Sequence, residues 1–230
     1  MHTLQTIWRG LDWSYLLDIA LSVLPALICI TLHECAHGWA AYRLGDDTAK
    51  RMGRLTINPL KHIDIIGLAM MVLFRFGWAK PVPVDMRKFK NPKRDMAVTA
   101  AAGPLMNVIL CLAALFLYGL TAPGAFYRGG ALYYVLQTLY LTAYLSLTLA
   151  LFNIIPIPPL DGSKVLYSFI SDRAYMQLMR YERYGMIALL ALIVLSDFSG
   201  LDPLSRATGW VFEKLFVFAD WGFALALRLM

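Results

Sequence analysis

Apolar residues run along this chain in long blocks separated by short basic stretches, a pattern that predicts helices apolar on most of their faces. The first block, residues 13–44, is about 30 residues long, or about 45 Å as a helix, more than the roughly 30 Å hydrocarbon core of a bilayer. It must therefore tilt, bend or protrude, and Pro25 is the expected bend. A polar stretch follows, "GDDTAKRMGRLTINPLKHID", carrying Lys50, Arg51, Arg54 and Lys61. The next apolar block, "IIGLAMMVLFRFGWA", is short for a span, contains Arg75, and leads into a second basic stretch over residues 80–94. Two basic stretches flanking one apolar segment cannot both be cytoplasmic if that segment crosses once. The segment is expected to dip in and return, or to lie along the interface, with "GWAKPVPVDM" as its extended, proline-restricted exit. A short tilted span is the alternative.

Further spans are predicted over residues 96–120, opening with the small residues of "AVTAAAGPLMN", over 132–152, and over about 186–195. The tail "WVFEKLFVFADWGFALALRLM" mixes aromatic anchors with Glu213, Lys214 and Asp220, and suits either a last span or an interfacial amphipathic helix. No internal repeat, low-complexity tract or linker divides the chain, so residues 1–230 are expected to form one domain. The predicted fold class is an all-α integral membrane protein. It is a bundle of about four to five transmembrane helices with a membrane-associated re-entrant or β-hairpin segment.

Composition sharpens this picture: 59% of residues are hydrophobic and 16% charged, which excludes an ordinary soluble globule. The net charge of +6 does not imply a nucleic-acid partner, because the basic residues sit beside apolar spans and set topology across a lipid bilayer. Cys29, Cys35 and Cys111 all lie in apolar runs without paired spacing, so they read as packing residues and not as a disulfide or cysteine-zinc framework.

Against this background "TLHECAHGWAAYRLG" stands out, with two histidines and a glutamate at the end of an apolar run. His33 and His37 are four residues apart, one helical turn, so both imidazoles can reach one metal ion. Glu34 is turned from them by one residue and suits a general base acting on water. The competing reading is a pair of helix histidines satisfied by interhelical hydrogen bonds. Ionisable side chains inside a span cost on the order of 3 kcal/mol each and usually mark a site, which favours the metal. His37 lies roughly 10 Å from the helix end, within the cytoplasmic leaflet.

Zinc with two histidines and a water takes a third protein ligand. His2 is terminal, and His62 lies in the basic "NPLKHID" stretch, where an exposed or interfacial structural role is expected. Asp161 is better placed: it ends "NIIPIPPLDG", where Pro156, Pro158 and Pro159 prevent a regular helix as the chain leaves a span. Irregular backbone at that depth is tolerated where it is buried or lines a wet cavity. The alternative for Asp161 is a cap on a helix starting at Ser163.

Taken in order, "HECAH", "NPLKHIDIIG", "GWAKPVPV", "AAGPLMN" and "LFNIIPIPPLDG" resemble the site-2 protease family of intramembrane zinc metalloproteases, over about residues 15–170. The likeness is to the short bacterial branch without PDZ or CBS domains. It implies one zinc per chain held by His33, His37 and Asp161, with Glu34 as catalytic acid/base. It also implies that Asn153 positions substrate or stabilises the oxyanion, with Asn107 a weaker candidate of the same kind and interhelical hydrogen bonding its alternative. The "GWAKPVPV" region is implied to form a membrane-associated β-hairpin that pairs with an unwound substrate strand. The implied substrate is a transmembrane protein, cleaved within or near its span by a multi-pass cell-membrane enzyme whose site faces the cytoplasmic leaflet. Two other classes stand beside it: a metal or proton transporter, and a non-catalytic relative that binds membrane helices.

Overall fold

The computed structural model describes residues 13–67, 79–128, 130–199 and 202–229. Among these residues the architecture is helical, with no strand and one isolated bridge. Helix α1 (Trp13–Arg43) is the long apolar first block and carries Pro25 inside it. It stops where Gly45 takes a positive φ of 108°, a conformation glycine adopts freely. A one-turn helix α2 (Thr48–Arg51) follows.

Helix α3 (Pro92–Arg128) begins with proline, whose missing N–H would be unpaired in the first turn anyway. The Asp95 carboxylate closes that turn by accepting the Asn91 N–H at 3.0 Å. Helix α4 (Ala131–Ile154) ends at the proline-rich "PIPP" run, which can neither continue the helix nor supply its N–H groups. The chain re-enters a short helix α5 (Asp161–Tyr167), then α6 (Asp172–Ser199), α7 (Pro203–Leu215) and α8 (Val217–Leu229).

Helix α3 is the hub, packed against α1, α4, α5 and α8. Its Cys111, Ala114 and Leu115 form a core with Ala143 and Leu147 of α4, Phe212 of α7 and Ala219 of α8. Phe212 meets Tyr140 and Tyr144 with ring centroids 5.5 and 5.4 Å away, which fixes α7 on α4. Helices α3 and α8 touch backbone to backbone: a Cβ on Gly222 would lie 2.1 Å from the Phe116 carbonyl oxygen, and one on Gly119 only 1.8 Å from that of Ala219. Close approach of this kind is how helices pack where no water drives them together.

Several expectations change in detail. The helix expected over 96–120 extends at both ends, and the block around 186–195 is the end of a helix that begins at Asp172. The tail is two helices and not one, with α8 docked on α3. Two helical stretches among the described residues, Pro92–Ala125 and Ala131–Ile154, are long and apolar enough to cross a membrane. Of the expected hairpin, the structure describes its two ends, where Ile63 bridges Ala79 antiparallel and the Lys80 N–H donates to the His62 carbonyl at 2.9 Å. The intervening residues 68–78, with Arg75, lie outside the described residues.

Candidate metal centre

Helical periodicity places His33 and His37 one turn apart on α1, both buried. Asp161 is the first residue of α5, brought to them because the proline run ends α4 beside α1. The N-cap of α5 is Leu160, and Asp161 makes no capping bond, so the capping alternative does not hold. Its Oδ2 lies 3.1 Å from His33 Nε2 and 3.1 Å from His37 Nε2, and the two nitrogens are 3.0 Å apart. These three residues can hold a metal, and they come from segments 128 positions apart.

The hydrogen-bond partner behind His37 suits a metal ligand. His37 Nδ1 faces the Thr99 carbonyl at 2.7 Å, so that nitrogen carries a proton, and in the neutral imidazole Nε2 then presents a lone pair. That lone pair meets the Asp161 carboxylate and His33 Nε2, which carries at most one proton for two neighbours. With both imidazoles neutral, at least one contact therefore sets lone pair against lone pair, which a bound cation or a proton on His37 relieves. Tetrahedral zinc with nitrogen and oxygen ligands at 2.0–2.2 Å separates its donors by about 3.3 Å, close to the spacing present. The donor set fits zinc, the ion to which two imidazoles and a carboxylate are suited.

Room for the pair comes from Gly103 of α3, where a Cβ would lie 2.4 Å from His37 Nε2 and 2.7 Å from His33 Cε1. The run "AAGPLMN" signals close helix contact, but nothing in it tells that imidazoles are what approaches. Gly162 is equally constrained, with the Ile154 carbonyl oxygen 2.2 Å from where its Cβ would stand. That contact draws the start of α5 against the end of α4.

Glu34 is half-buried and its Oε2 accepts the Val82 N–H at 2.8 Å. Val82 belongs to the extended "KPVPV" stretch, which is itself held from three sides. The buried Arg54 donates through Nη2 to the carbonyls of Lys80 and Pro81 at 2.7 and 3.2 Å. Asp46, fully buried, accepts the Asp85 N–H at 2.7 Å, and Lys88 approaches the same carboxylate at 3.5 Å. Burial pushes the Asp46 carboxyl up, but the Thr48 hydroxyl, the backbone N–H groups of Asp85 and Thr48, and Lys88 together hold it below its ordinary value. Arg54 is thus a tie between the loop that follows α2 and the segment that meets Glu34.

The remaining candidates separate. Asn107 is fully buried behind His33, its side-chain amide 3.1 Å from His33 Nδ1, so it bonds between helices as its alternative anticipated. Asn153 donates to the Leu149 carbonyl at 3.0 Å and, with Asp161, lines an otherwise apolar cavity of about 470 Å³ between α3, α4 and α5. A second apolar cavity of about 750 Å³ lies on the other flank of α3, between Leu105 and Met106 and the α1 residues Cys35 and Trp39. His62 lies apart from the triangle and is buried, not exposed or interfacial as expected, because its ring turns inward to the Thr56 carbonyl at 2.8 Å. His2 lies outside the described residues.

Comparison with known proteins agrees with this geometry. Residues 125–196 match the model of Peptidase family M50, a stretch that contains Asp161. The protein named "Putative zinc metalloprotease YwhC" of Bacillus subtilis (strain 168) is 38% identical over 178 residues, covering 75% of this chain and 79% of the relative. "Putative zinc metalloprotease Rip2" of Mycolicibacterium smegmatis is 27% identical over 217 residues, 90% of this chain and 76% of the relative. Its namesake in Mycobacterium tuberculosis H37Rv is 26% identical over 181 residues, 76% of this chain and 66% of the relative. No solved structure matches the chain significantly. A membrane peptidase of the metal-dependent kind is the class that fold and site define. The chain belongs to peptidase family M50, the site-2 proteases.

Proposed function

We propose that the chain is an intramembrane zinc metalloprotease. In this reading one zinc is held by His33 Nε2, His37 Nε2 and Asp161 Oδ2, and Glu34 is the acid/base. The observation that carries the assignment is the triangle itself, three ligand atoms within 3.1 Å of one another from distant segments of an M50 chain. Zinc bound there supplies a Lewis acid that acidifies water and polarises a peptide carbonyl.

The chain's own residues do the rest. Thr99's carbonyl keeps the His37 proton on Nδ1 and its lone pair on the ligand side. Glu34, one residue from a ligand, takes a proton from water and returns it to the leaving amine. The Val82 N–H holds the Glu34 carboxylate in place before substrate arrives. Asn153 lines the cavity beside Asp161, which supports the reading that it donates to a substrate carbonyl once its bond to Leu149 is released. The apolar cavity walls suit a transmembrane segment, whose carbonyls are hidden in helical hydrogen bonds and must be exposed by local unwinding before attack.

In this reading residues 1–230 form one multi-pass domain of four to five spans in the cell membrane, with the site toward the cytoplasmic leaflet. The contacts of Asp46 with Asp85 and Lys88 support that orientation, because they gather the two basic stretches at one end of the bundle. Membership of a peptidase family disfavours transport, as does the gathering of His33, His37 and Asp161 in one cluster and not along a path.

Co-expression with a panel of single-span proteins tests the function. Wild type should yield fragments whose new termini lie in or near the span. Glu34→Gln should lower their yield by about 100-fold or more, the scale of a lost general base, while zinc content stays unchanged. Equal fragment yields from the two proteins would contradict the proposal.

A further inference from the structure

The metal triangle has an asymmetry. His37 has a fixed acceptor behind it, the Thr99 carbonyl at 2.7 Å, whereas His33 Nδ1 faces a side-chain amide, that of Asn107 on α3, at 3.1 Å. Asn107 is fully buried and its helix is tied to α4 at that residue, where the Ser146 hydroxyl donates to the Asn107 backbone carbonyl at 2.9 Å. Its amide nitrogen points at His33, and its oxygen, also buried, has no hydrogen-bond partner.

This orientation suits a histidine that accepts at Nδ1 and donates from Nε2 to Asp161. It does not suit a metal ligand, because Nε2 must then offer a lone pair and Nδ1 must carry the proton. The two ends of an amide have nearly the same shape, so a half turn about the last side-chain bond exchanges them. The turn breaks no bond at the outer end, since the oxygen there has no partner to lose.

We propose that Asn107 is a positioning residue for the metal centre. In the zinc-loaded protein its amide oxygen accepts the His33 Nδ1–H and holds His33 as the tautomer whose Nε2 faces the ion. This rests on the reading of His33, His37 and Asp161 as zinc ligands. An amide at this position serves both states of the site, donating when the metal is absent and accepting when it is present. A carboxylate would serve the loaded state alone, and an apolar residue neither.

Zinc affinity, measured by chelator competition on the full-length protein in detergent, tests this without a substrate. Asn107→Leu keeps the branched shape and removes both polar ends; it should bind zinc about 10- to 100-fold more weakly, the scale of a lost outer-shell partner, with helix content by circular dichroism unchanged. Asn107→Asp keeps an acceptor and should bind within about threefold of wild type, or more tightly. Wild-type affinity in the leucine variant overturns the proposal, and so does an aspartate variant as weak as the leucine one. Should the leucine variant fail to fold, the aspartate variant alone decides, since binding weaker than wild type by more than about threefold contradicts the acceptor role. A wild-type protein that takes up no zinc, or a His37→Ala variant that keeps it, overturns instead the ligand reading beneath the proposal.

Discussion

At the residue scale, the site depends on what is missing as much as on what is present. Gly103 leaves the volume into which the two imidazoles fit, so Gly103→Ala is a sharper probe of the metal centre than its small size suggests. The added methyl has nowhere to go, being 2.4 Å from His37 Nε2, and His37 cannot retreat without losing the Thr99 carbonyl. Zinc affinity should fall by at least about 10-fold, as when a ligand's supporting contact is lost, while α3 keeps its helicity. Isothermal titration of the apo protein measures this, and unchanged affinity would mean that the histidines do not act as a pair. The histidines and Glu34 were legible in the sequence because one helical turn is a fixed spacing. Asp161 was legible because prolines announce irregular backbone at the end of a span. The Val82 N–H on Glu34 was not, since a backbone donor leaves no mark in residue identity. Nor was the Arg54 tie legible, because charge position gives the side of the membrane but not whether a guanidinium turns outward or ties two carbonyls.

At the scale of elements, the extended stretch that meets Glu34 is held, among the described residues, by ties to neighbouring loops. Asp46 is the buried member of those ties. Its carboxyl titrates below its ordinary value, so the stabilisation it gives is full above about pH 4, the unfolded carboxyl pKa, and is lost as pH falls through the lower folded one. Asp46→Asn should therefore lower the thermal midpoint by an amount that is constant from about pH 8 to 5 and shrinks below about pH 4. At neutral pH the loss should be on the order of 1–3 kcal/mol, that of a buried polar group left with poorer partners. A wild-type-minus-variant difference that grew on acidification would contradict this tie. Helix existence was well predicted by apolar run length, whereas the ends of α3 and α6 and the division of the tail into α7 and α8 were not. Those boundaries are set by tertiary contacts, such as Phe212 on α4 and Gly222 on α3.

For the whole molecule, two long apolar helices and a hub-like α3 give a scaffold in which distant segments meet inside the bundle. The antiparallel contact of Ile63 with Ala79 joins the two ends of the segment expected from the sequence to enter and return. Lys61 and Lys90, both exposed, flank that segment. In a chain with its three native cysteines replaced, Lys61→Cys and Lys90→Cys should react with an impermeant thiol reagent from the same, cytoplasmic, side of sealed vesicles. Labelling from opposite sides would mean a single crossing and a different topology.

The central claim is that α1 and α5 complete one zinc site, and zinc stoichiometry of the purified protein tests it most directly. About one zinc per chain in wild type is expected, lost or sharply weakened in both His33→Ala and Asp161→Ala. Wild type that takes up no zinc when supplied, or an Asp161→Ala variant that binds it as wild type does, would contradict the account.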